Sequence, residues 1–349
     1  FPFFTPPIPS FETFVPSLSP PVALLLLPAT IRLQPTLTDF PGFDANKDAE
    51  DLRAAMKGFG TDEDAILQIL ASRSNAQRQK ISSAFKTLFG RDLVDDLKSE
   101  VGGTFEKLLV ALMKTPVEYD AYELRNAIKG AGTAEKVLIE ILASRSNREI
   151  CDIIKAYKAG FPILVENPPK ERQSGSTNST PPPRHQANRT EDSRVLKDLV
   201  DQDAQDLFAA GEMKWGTDED KFITILGTRS VAHLRKVFDQ YMKVSGYEIE
   251  ESICNETSGH LENLLLAVVK CVRSVPAYFA ECLYNSMKGG GTDDDTLMRI
   301  MVSRSEVDLL DVRKQFRTYY GTSLYSMIKN DTSGDYRKTL LHLCGGEDE

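Results

Sequence analysis

A short glycine-containing turn occurs four times in this 349-residue chain, and an Arg-Ser pair follows each turn thirteen residues after its last glycine. The turns read KGFGT, KGAGT, MKWGT and KGGGT, and they end at Thr61, Thr133, Thr217 and Thr292. Their last glycines are separated by 72, 84 and 75 residues. A self-similar pattern with this period predicts four similar structural units that share the core among them.

Three of the four units add an acidic residue forty positions after the last glycine: Glu100, Glu256 and Asp331. In the second unit, that position holds Arg172. Calcium takes six to eight oxygen ligands at about 2.3–2.6 Å from carbonyls, carboxylates and water. A glycine turn and a distant carboxylate can supply such a set. The alternative is a glycine helix cap with a surface acid nearby, which explains one unit more readily than three with the same offset.

Other function classes find little support. The chain has no EF-hand loop, no phosphate-binding glycine motif and no local signature of a catalytic triad around its four histidines, so we expect a protein that is not an enzyme. A net charge of −9 argues against nucleic-acid binding, which needs a basic face. Five cysteines without framework spacing indicate reduced thiols in a cytosolic protein.

The elements that must position these residues are predicted to be helices. Ile66, Leu67, Ile69 and Leu70 recur at helical spacing after the first turn, and similar runs surround every turn. Thr61 with Asp64 is predicted to form a capping box, as are Thr217 with Asp220 and Thr292 with Asp295. No strand pattern of useful length occurs, and no apolar run is long enough to span a membrane. The chain is therefore predicted to be all-α, with five short helices in each of four units.

The predicted units cover residues 38–115, 117–190, 200–272 and 276–347. Residues 1–37 are rich in proline and poor in charge, and we expect a disordered or misannotated head. Residues 160–184 of the second unit carry prolines where its sister units carry helices, and proline there costs about 3 kcal/mol or more. The preserved length favours translation in a shifted frame; a disordered insertion is the alternative.

With these motifs in place, residues 38–159 and 185–347 resemble the annexin family. The resemblance is most specific in the stretches FPGFDANKDAEDLRAAMKGFGTDEDAILQILASRS and GEMKWGTDEDKFITILGTRS. It implies five-helix repeats, each a right-handed superhelical unit, in a slightly curved disc. It also implies reversible, calcium-dependent binding to acidic phospholipid from the cytoplasm, with recruitment to the inner face of plasma and vesicle membranes and an extracellular location as a further option. Trimers on the membrane and roles in membrane organisation, membrane repair or anticoagulant shielding are further expectations of the resemblance.

The resemblance also assigns ligands by position. In the first unit, calcium would be bound by the carbonyls of Met56, Gly58 and Gly60 together with Glu100. In the third unit, the ligands would be the carbonyls of Gly211, Lys214 and Gly216 with Glu256. In the fourth unit, they would be the carbonyls of Met287, Gly289 and Gly291 with Asp331. The second unit keeps Ile128, Gly130 and Gly132 but has Arg172 in place of its acid. Thr61 and Glu63 would form a weaker accessory calcium site.

Two further sets of residues carry expectations. Trp215 within the third turn suits an anchor in the lipid headgroup layer, and Lys57, Lys214 and Lys288 would contact headgroups. The second set resembles the charged residues of a central annexin channel: Asp120, Glu123, Glu140, Arg145 and Arg299. A calcium-permeable channel or gating protein is therefore the alternative function. A buried ion-pair network between units is the simpler interpretation of the same residues.

Overall fold

The computed structural model describes residues 33–58, 60–129, 133–160, 189–211 and 218–347. Every regular element in these ranges is a helix, which confirms the all-α prediction. The helices are α1 (Ala45–Ala55), α2 (Glu63–Leu70), α3 (Asn75–Phe89), α4 (Leu93–Glu100), α5 (Gly103–Met113), α6 (Pro116–Ile128), α7 (Glu135–Ser144), α8 (Asn147–Gly160), α9 (Lys197–Ala210), α10 (Glu219–Thr228), α11 (Val231–Ser245), α12 (Ile249–Glu256), α13 (Gly259–Met287), α14 (Asp294–Arg304), α15 (Leu309–Tyr320), α16 (Leu324–Asp331) and α17 (Gly334–Cys344).

The long helix α13 contains a break. Ser274 has non-helical angles of φ −162° and ψ 110°, and Pro276 follows two residues later. Proline removes a backbone donor and crowds the preceding turn, so a continuous helix is interrupted there. With α13 counted as two helices, the first, third and fourth units have five helices each. The second unit has three described helices, and the anomalous residues from 161 onward lie outside the described residues.

The same helix pair recurs in all four units. The first helix of each unit packs against its third, as α1 with α3, α6 with α8, α9 with α11, and the second half of α13 with α15. The first and fourth units also share one apolar core, because α17 packs against α2 and α5 while α14 packs against α5. The third unit has a core of its own.

The end of the predicted head is part of this fold. The backbone amides of Thr36 and Leu37 both donate to the Ser305 carbonyl, at 2.9 and 3.0 Å, and the Thr36 hydroxyl donates to the Leu343 carbonyl at 2.6 Å. Leu37 is buried. The predicted boundary at residue 37 is therefore wrong by a few residues, because residues 34–37 are bound to the fourth unit. Residues 1–32 lie outside the described residues.

One helix among the described residues, α13, is long and apolar enough to cross a membrane by length and composition. The sequence had suggested no such segment. Of its most apolar window, 44% is buried inside the protein, and the break at Ser274 divides the helix. These two observations assign α13 to the core, where its halves belong to consecutive units.

Among the described residues, which omit 161–188, the second unit has a small buried apolar cluster. Its buried apolar cluster consists of Ala121, Ile141 and Ile153. Leu142, ten residues after the glycine of its turn, is 50% exposed, whereas Leu70 at the same place in the first unit is 0% exposed. Equivalent leucines thus have opposite environments in two units of one chain.

This difference predicts unequal costs of truncation. Leu70→Ala leaves a cavity in a closed core and should lower the free energy of unfolding by about 2–5 kcal/mol. Leu142→Ala removes a half-exposed side chain and should cost less than about 1 kcal/mol. Urea unfolding of both variants beside the parent measures the two costs. Equal losses would contradict the packing described for the second unit.

Candidate metal centre

All four glycine turns are closed by one recurring backbone hydrogen bond. The amide of the residue two positions after the last glycine donates to a carbonyl at the end of the preceding helix. The four bonds run from Asp62 to Ala55, Ala134 to Ala127, Asp218 to Ala210, and Asp293 to Ser286, at 2.7–2.9 Å. The third turn holds one residue more than the others between these partners. The second unit therefore keeps the turn even though it lacks the acid.

The helix after each turn is capped differently from the prediction. Asp62, Asp218 and Asp293 are the N-cap residues, and each side chain accepts a bond from a backbone amide three residues on. The capping boxes predicted for Thr61 with Asp64 and for Thr292 with Asp295 are wrong, because the N-cap is the residue after the threonine and no reciprocal box forms there. Thr217 lies outside the described residues. The threonine precedes the cap, so its hydroxyl is available for another partner. In the second unit the cap is Ala134, which has no side-chain acceptor.

The first and fourth turns have matching backbones. Gly58 and Gly60 have φ of 129° and 97°, and Gly289 and Gly291 have φ of 109° and 146°. Glycine adopts such angles readily, whereas side-chain-bearing residues do not. Met56 and Met287, which begin the predicted ligand sets, are buried, while the glycines are exposed. Both turns therefore present exposed backbone just beyond an anchored methionine.

Each acid is the last residue of its helix. Glu100 ends α4, Glu256 ends α12 and Asp331 ends α16. Three residues later comes a glycine with φ of 64–67°: Gly103, Gly259 and Gly334. The negative end of a helix dipole lies next to the carboxylate in all three, which is unfavourable for an anion. A bound cation would relieve this repulsion.

The fold brings turn and acid together across the forty-residue separation. The Thr61 hydroxyl donates to Glu100 Oε2 at 3.2 Å, and the Thr292 hydroxyl donates to Asp331 Oδ2 at 2.6 Å. In the third unit, a methyl group built on Gly211 would lie 3.2 Å from Glu256 Cγ, so this glycine admits the acid side chain at close range. Thr292 is a residue that the sequence analysis missed as a partner of the acid. Its position directly after the glycine in all four turns was the available signal.

Several residues predicted to bind metal or headgroups are not in contact with a turn and its acid, or lie outside the described residues. Ile128 is 51% exposed where Met56 is 4% exposed, so the second turn lacks the buried anchor of the first. Lys57 and Lys288 are exposed beside their turns, and Lys288 lies over the ring of Tyr284. Glu63 lies beside Glu100 in the lining of a polar cavity of about 360 Å³ between the first and fourth units. Gly130, Gly132, Arg172, Lys214, Trp215 and Gly216 lie outside the described residues.

The donor set fits a hard cation. Among the described residues, no cluster of three or more His, Cys, Asp or Glu side chains could hold a metal. A site would therefore combine one carboxylate with backbone carbonyls, and every donor would be oxygen. Oxygen-only sets of this kind suit calcium rather than softer metals.

Buried ion pairs hold the helices that carry the turns. The arginine of each Arg-Ser pair bonds a buried aspartate. The pairs are Arg73–Asp48 at 2.7 Å, Arg145–Asp120 at 2.8 Å, Arg229–Asp203 at 2.6 Å and Arg304–Asp308 at 2.7 Å. In the first three units the aspartate lies in the first helix, 25 or 26 residues earlier. In the fourth unit, the equivalent position in the first helix holds Phe279, and Arg304 lies over its ring. The aspartate that pairs with Arg304 is instead Asp308, at the start of α15.

The residues considered for a channel pair with one another. Arg299 bonds Glu140 at 2.7 Å, each side chain being 1% exposed, and it also lies 3.6 Å from Glu123. Asp120 is paired with Arg145. Burial raises the pKa of Glu123, and the neighbouring Arg299 only partly opposes this effect. This arrangement matches the buried ion-pair network that the sequence left as the simpler interpretation.

Comparison with known proteins is consistent with this geometry. The Annexin family model matches residues 47–112, 119–162, 202–268 and 278–343, and the match is shortest in the second unit. The chain is 64% identical over 316 residues to annexin A5 of Macaca fascicularis, which covers 90% of this chain and 99% of the relative. Annexin A5 of Gallus gallus is 64% identical over 314 residues, 90% of this chain and 98% of the relative.

Solved structures give the same result. A structure of chicken annexin V in complex with Zn²⁺ matches with a TM-score of 0.82 and 61% identity over 90% of this chain and 100% of that one. A calcium-bound annexin (Sm)1 matches with a TM-score of 0.73 and 34% identity over 91% and 94%. Four repeated all-α units, three of which pair a glycine turn with an acid, define a helical repeat protein. This chain belongs to the annexin family, whose cofactor is Ca²⁺.

The raised pKa of Glu123 predicts a pH-dependent effect on stability. Folded Glu123 keeps its proton to higher pH than in the unfolded chain, so its contribution to the free energy of unfolding falls as pH rises through that interval. Glu123→Gln removes this loss. The stability of the variant relative to the parent should therefore increase as the pH rises above 4.5, the ordinary pKa of a glutamate.

Urea unfolding at several pH values measures this difference. Glu50→Gln, at an exposed position on α1, controls for the loss of one negative charge. A constant difference between Glu123→Gln and the parent across the pH range would contradict the assigned pKa direction.

Proposed function

We propose that this protein binds membranes rich in acidic phospholipid reversibly and only when calcium is bound. The observation that carries the proposal is the repeated pairing of a glycine turn with a carboxylate at a helix end. It occurs in the first and fourth units through a threonine hydroxyl and in the third through the close approach of Gly211 and Glu256. Family membership supports the same activity.

Charge explains why calcium would be needed. The chain carries a net charge of −9, and an acidic membrane surface has a potential of roughly −30 mV. The two surfaces repel each other. A calcium ion held by three carbonyls and one carboxylate keeps coordination positions for a lipid phosphate or carboxylate. The ion therefore binds both negative partners at once.

Several such sites on one protein increase the overall affinity. Once one site has bound lipid, the others face a high effective lipid concentration, so modest single-site affinity still produces tight binding. We assign complete sites to the first, third and fourth units. We assign none to the second, since its turn lacks an acid at the matching position, a buried anchor and a capping side chain.

Family membership also supports more specific proposals about location, lipid contacts and self-assembly. The protein would act as a binding protein without catalysis, would lie in the cytoplasm or outside the cell, and would move to the inner face of plasma and vesicle membranes as calcium rises. Trp215, Lys57, Lys214 and Lys288 would contact headgroups. Self-assembly into trimers would suit roles in membrane organisation, repair or anticoagulant shielding.

The channel alternative is less well supported. A conducting path needs charged side chains that face water, whereas Arg299 and Glu140 are buried and bonded to each other. Removing one partner of such a pair typically costs about 3–5 kcal/mol of stability. We therefore propose that these residues hold the units together.

The central prediction concerns vesicle binding. The protein should sediment with phosphatidylserine vesicles in calcium, remain in solution with phosphatidylcholine vesicles, and be released by chelator. Asp331→Asn should raise the calcium concentration needed for half-maximal binding, because it removes the charged ligand of one site. Glu100→Gln and Glu256→Gln should do the same.

Asp95→Asn provides the matched control for these variants. Asp95 is exposed in the first turn of α4, away from the acid at the other end of that helix. Its variant loses the same charge and should titrate like the parent. Binding that resists chelator, or an equal shift with Asp95→Asn, would refute the calcium-bridging model.

A further inference from the structure

We infer that the threonine directly after each glycine turn is a positioning residue: its hydroxyl holds the distant acid in place for calcium. The inference rests on the proposed function and extends it to residues that are not themselves the charged ligands. The residues concerned are Thr61 in the first unit and Thr292 in the fourth.

The geometry is the same in two independent units. The Thr61 hydroxyl lies 3.2 Å from Glu100 Oε2 and 3.4 Å from the Glu100 carbonyl oxygen. The Thr292 hydroxyl lies 2.6 Å from Asp331 Oδ2 and 3.1 Å from the Asp331 carbonyl oxygen. A hydroxyl has one proton to donate, and the carboxylate oxygen is the nearer acceptor in both units. The bond also forms with both acids, although Glu is one methylene longer than Asp.

Helix capping does not account for these threonines. Threonine is a common N-cap residue, and a cap would explain its presence before a helix. Here, however, Asp62 and Asp293 cap α2 and α14 through their own carboxylates. The threonine side chain turns instead to the end of a helix 39 residues later in the chain. This bond joins the two halves of each candidate site.

Such a bond should favour metal binding rather than compete with it. A carboxylate accepts about four hydrogen bonds or metal contacts through its lone pairs, so one donated proton leaves positions for a cation. An acid side chain that is exposed, as Glu100 is, or partly buried, as Asp331 is, would otherwise sample several rotamers and lose that freedom on binding. The hydroxyl restricts it beforehand, and the 2.6 Å bond of Thr292 has the short length expected for donation to a carboxylate, while the 3.2 Å bond of Thr61 is longer.

The chain contains its own control. Thr133 follows the second glycine turn, where the backbone closing bond is preserved, but the matching acid position holds Arg172. Thr133 is exposed. If threonine served only the turn, replacement would have the same effect in every unit. If it positions the acid, the effect should be confined to units that have one.

The experiment isolates one site at a time. Glu256→Gln with Asp331→Asn leaves the first unit as the complete site, and Thr61→Val, Thr61→Ser and Thr133→Val are each added to that background. Glu100→Gln with Glu256→Gln leaves the fourth unit, to which Thr292→Val and Thr292→Ser are added. Calorimetric titration with calcium, without lipid, measures the dissociation constant. Urea unfolding in chelator measures the stability of the metal-free protein.

Valine keeps the shape of threonine and removes the hydroxyl, so Thr61→Val and Thr292→Val should weaken calcium binding about three- to tenfold, or about 0.7–1.4 kcal/mol at 1.4 kcal/mol per tenfold. The serine variants should restore most of the affinity, and Thr133→Val should leave it unchanged. Stability in chelator should change little in all variants.

Three results would overturn the inference alone: valine variants that bind calcium like their background, tighter binding that indicates competition, or an equal loss with Thr133→Val. A background protein that binds no calcium would overturn the proposed function, and the positioning role with it.

Discussion

A buried carboxylate must be paired, and this constraint organises every unit of the protein. Asp48, Asp120, Asp203 and Asp308 are all at most 5% exposed, and each bonds the arginine of an Arg-Ser pair. An unpaired charge at such depth is strongly destabilising. In the third unit His233 adds a second bond, and together these bonds outweigh burial and lower the pKa of Asp203. In three units the pair ties the first helix to the start of the third. The glycine turn lies between these tied points, so its position is set by the core.

The candidate sites depend on this rigidity, because each combines parts that are distant in the chain. The turn follows the first helix, and the acid ends the fourth. Neither part holds a metal alone: the carbonyls are neutral, and one carboxylate supplies at most two of the six to eight oxygens that calcium takes. A metal site forms only when the fold holds the turn and the acid together. The hydroxyls of Thr61 and Thr292 connect the two parts directly, because each donates a hydrogen bond to the acid of its own unit.

The second unit shows which features can be lost separately. Its buried pair Arg145–Asp120 and its turn-closing bond from Ala134 to Ala127 are both present, so the local fold of its first helices persists. Its cap, its buried anchor at Ile128 and its acid are absent or replaced, and Leu142 is half exposed. Features that hold the unit to its neighbours remain, including the bond between Glu140 and Arg299 of the fourth unit. The acid of the candidate metal site does not, because Arg172 stands at its position.

The sequence by itself determined the repeat, the helical class and the pairing of turn with acid, because period, apolar spacing and a constant offset are properties of the linear chain. It also predicted the buried ion pairs as one interpretation of Glu140 and Arg299. Only the tertiary structure decided which residue caps each helix, because Thr61 and Asp62 are both good caps and their choice depends on the acid brought close by folding. The same holds for the ordering of residues 34–37 against the fourth unit. These outcomes arise from contacts between residues far apart in the chain, which spacing alone does not encode.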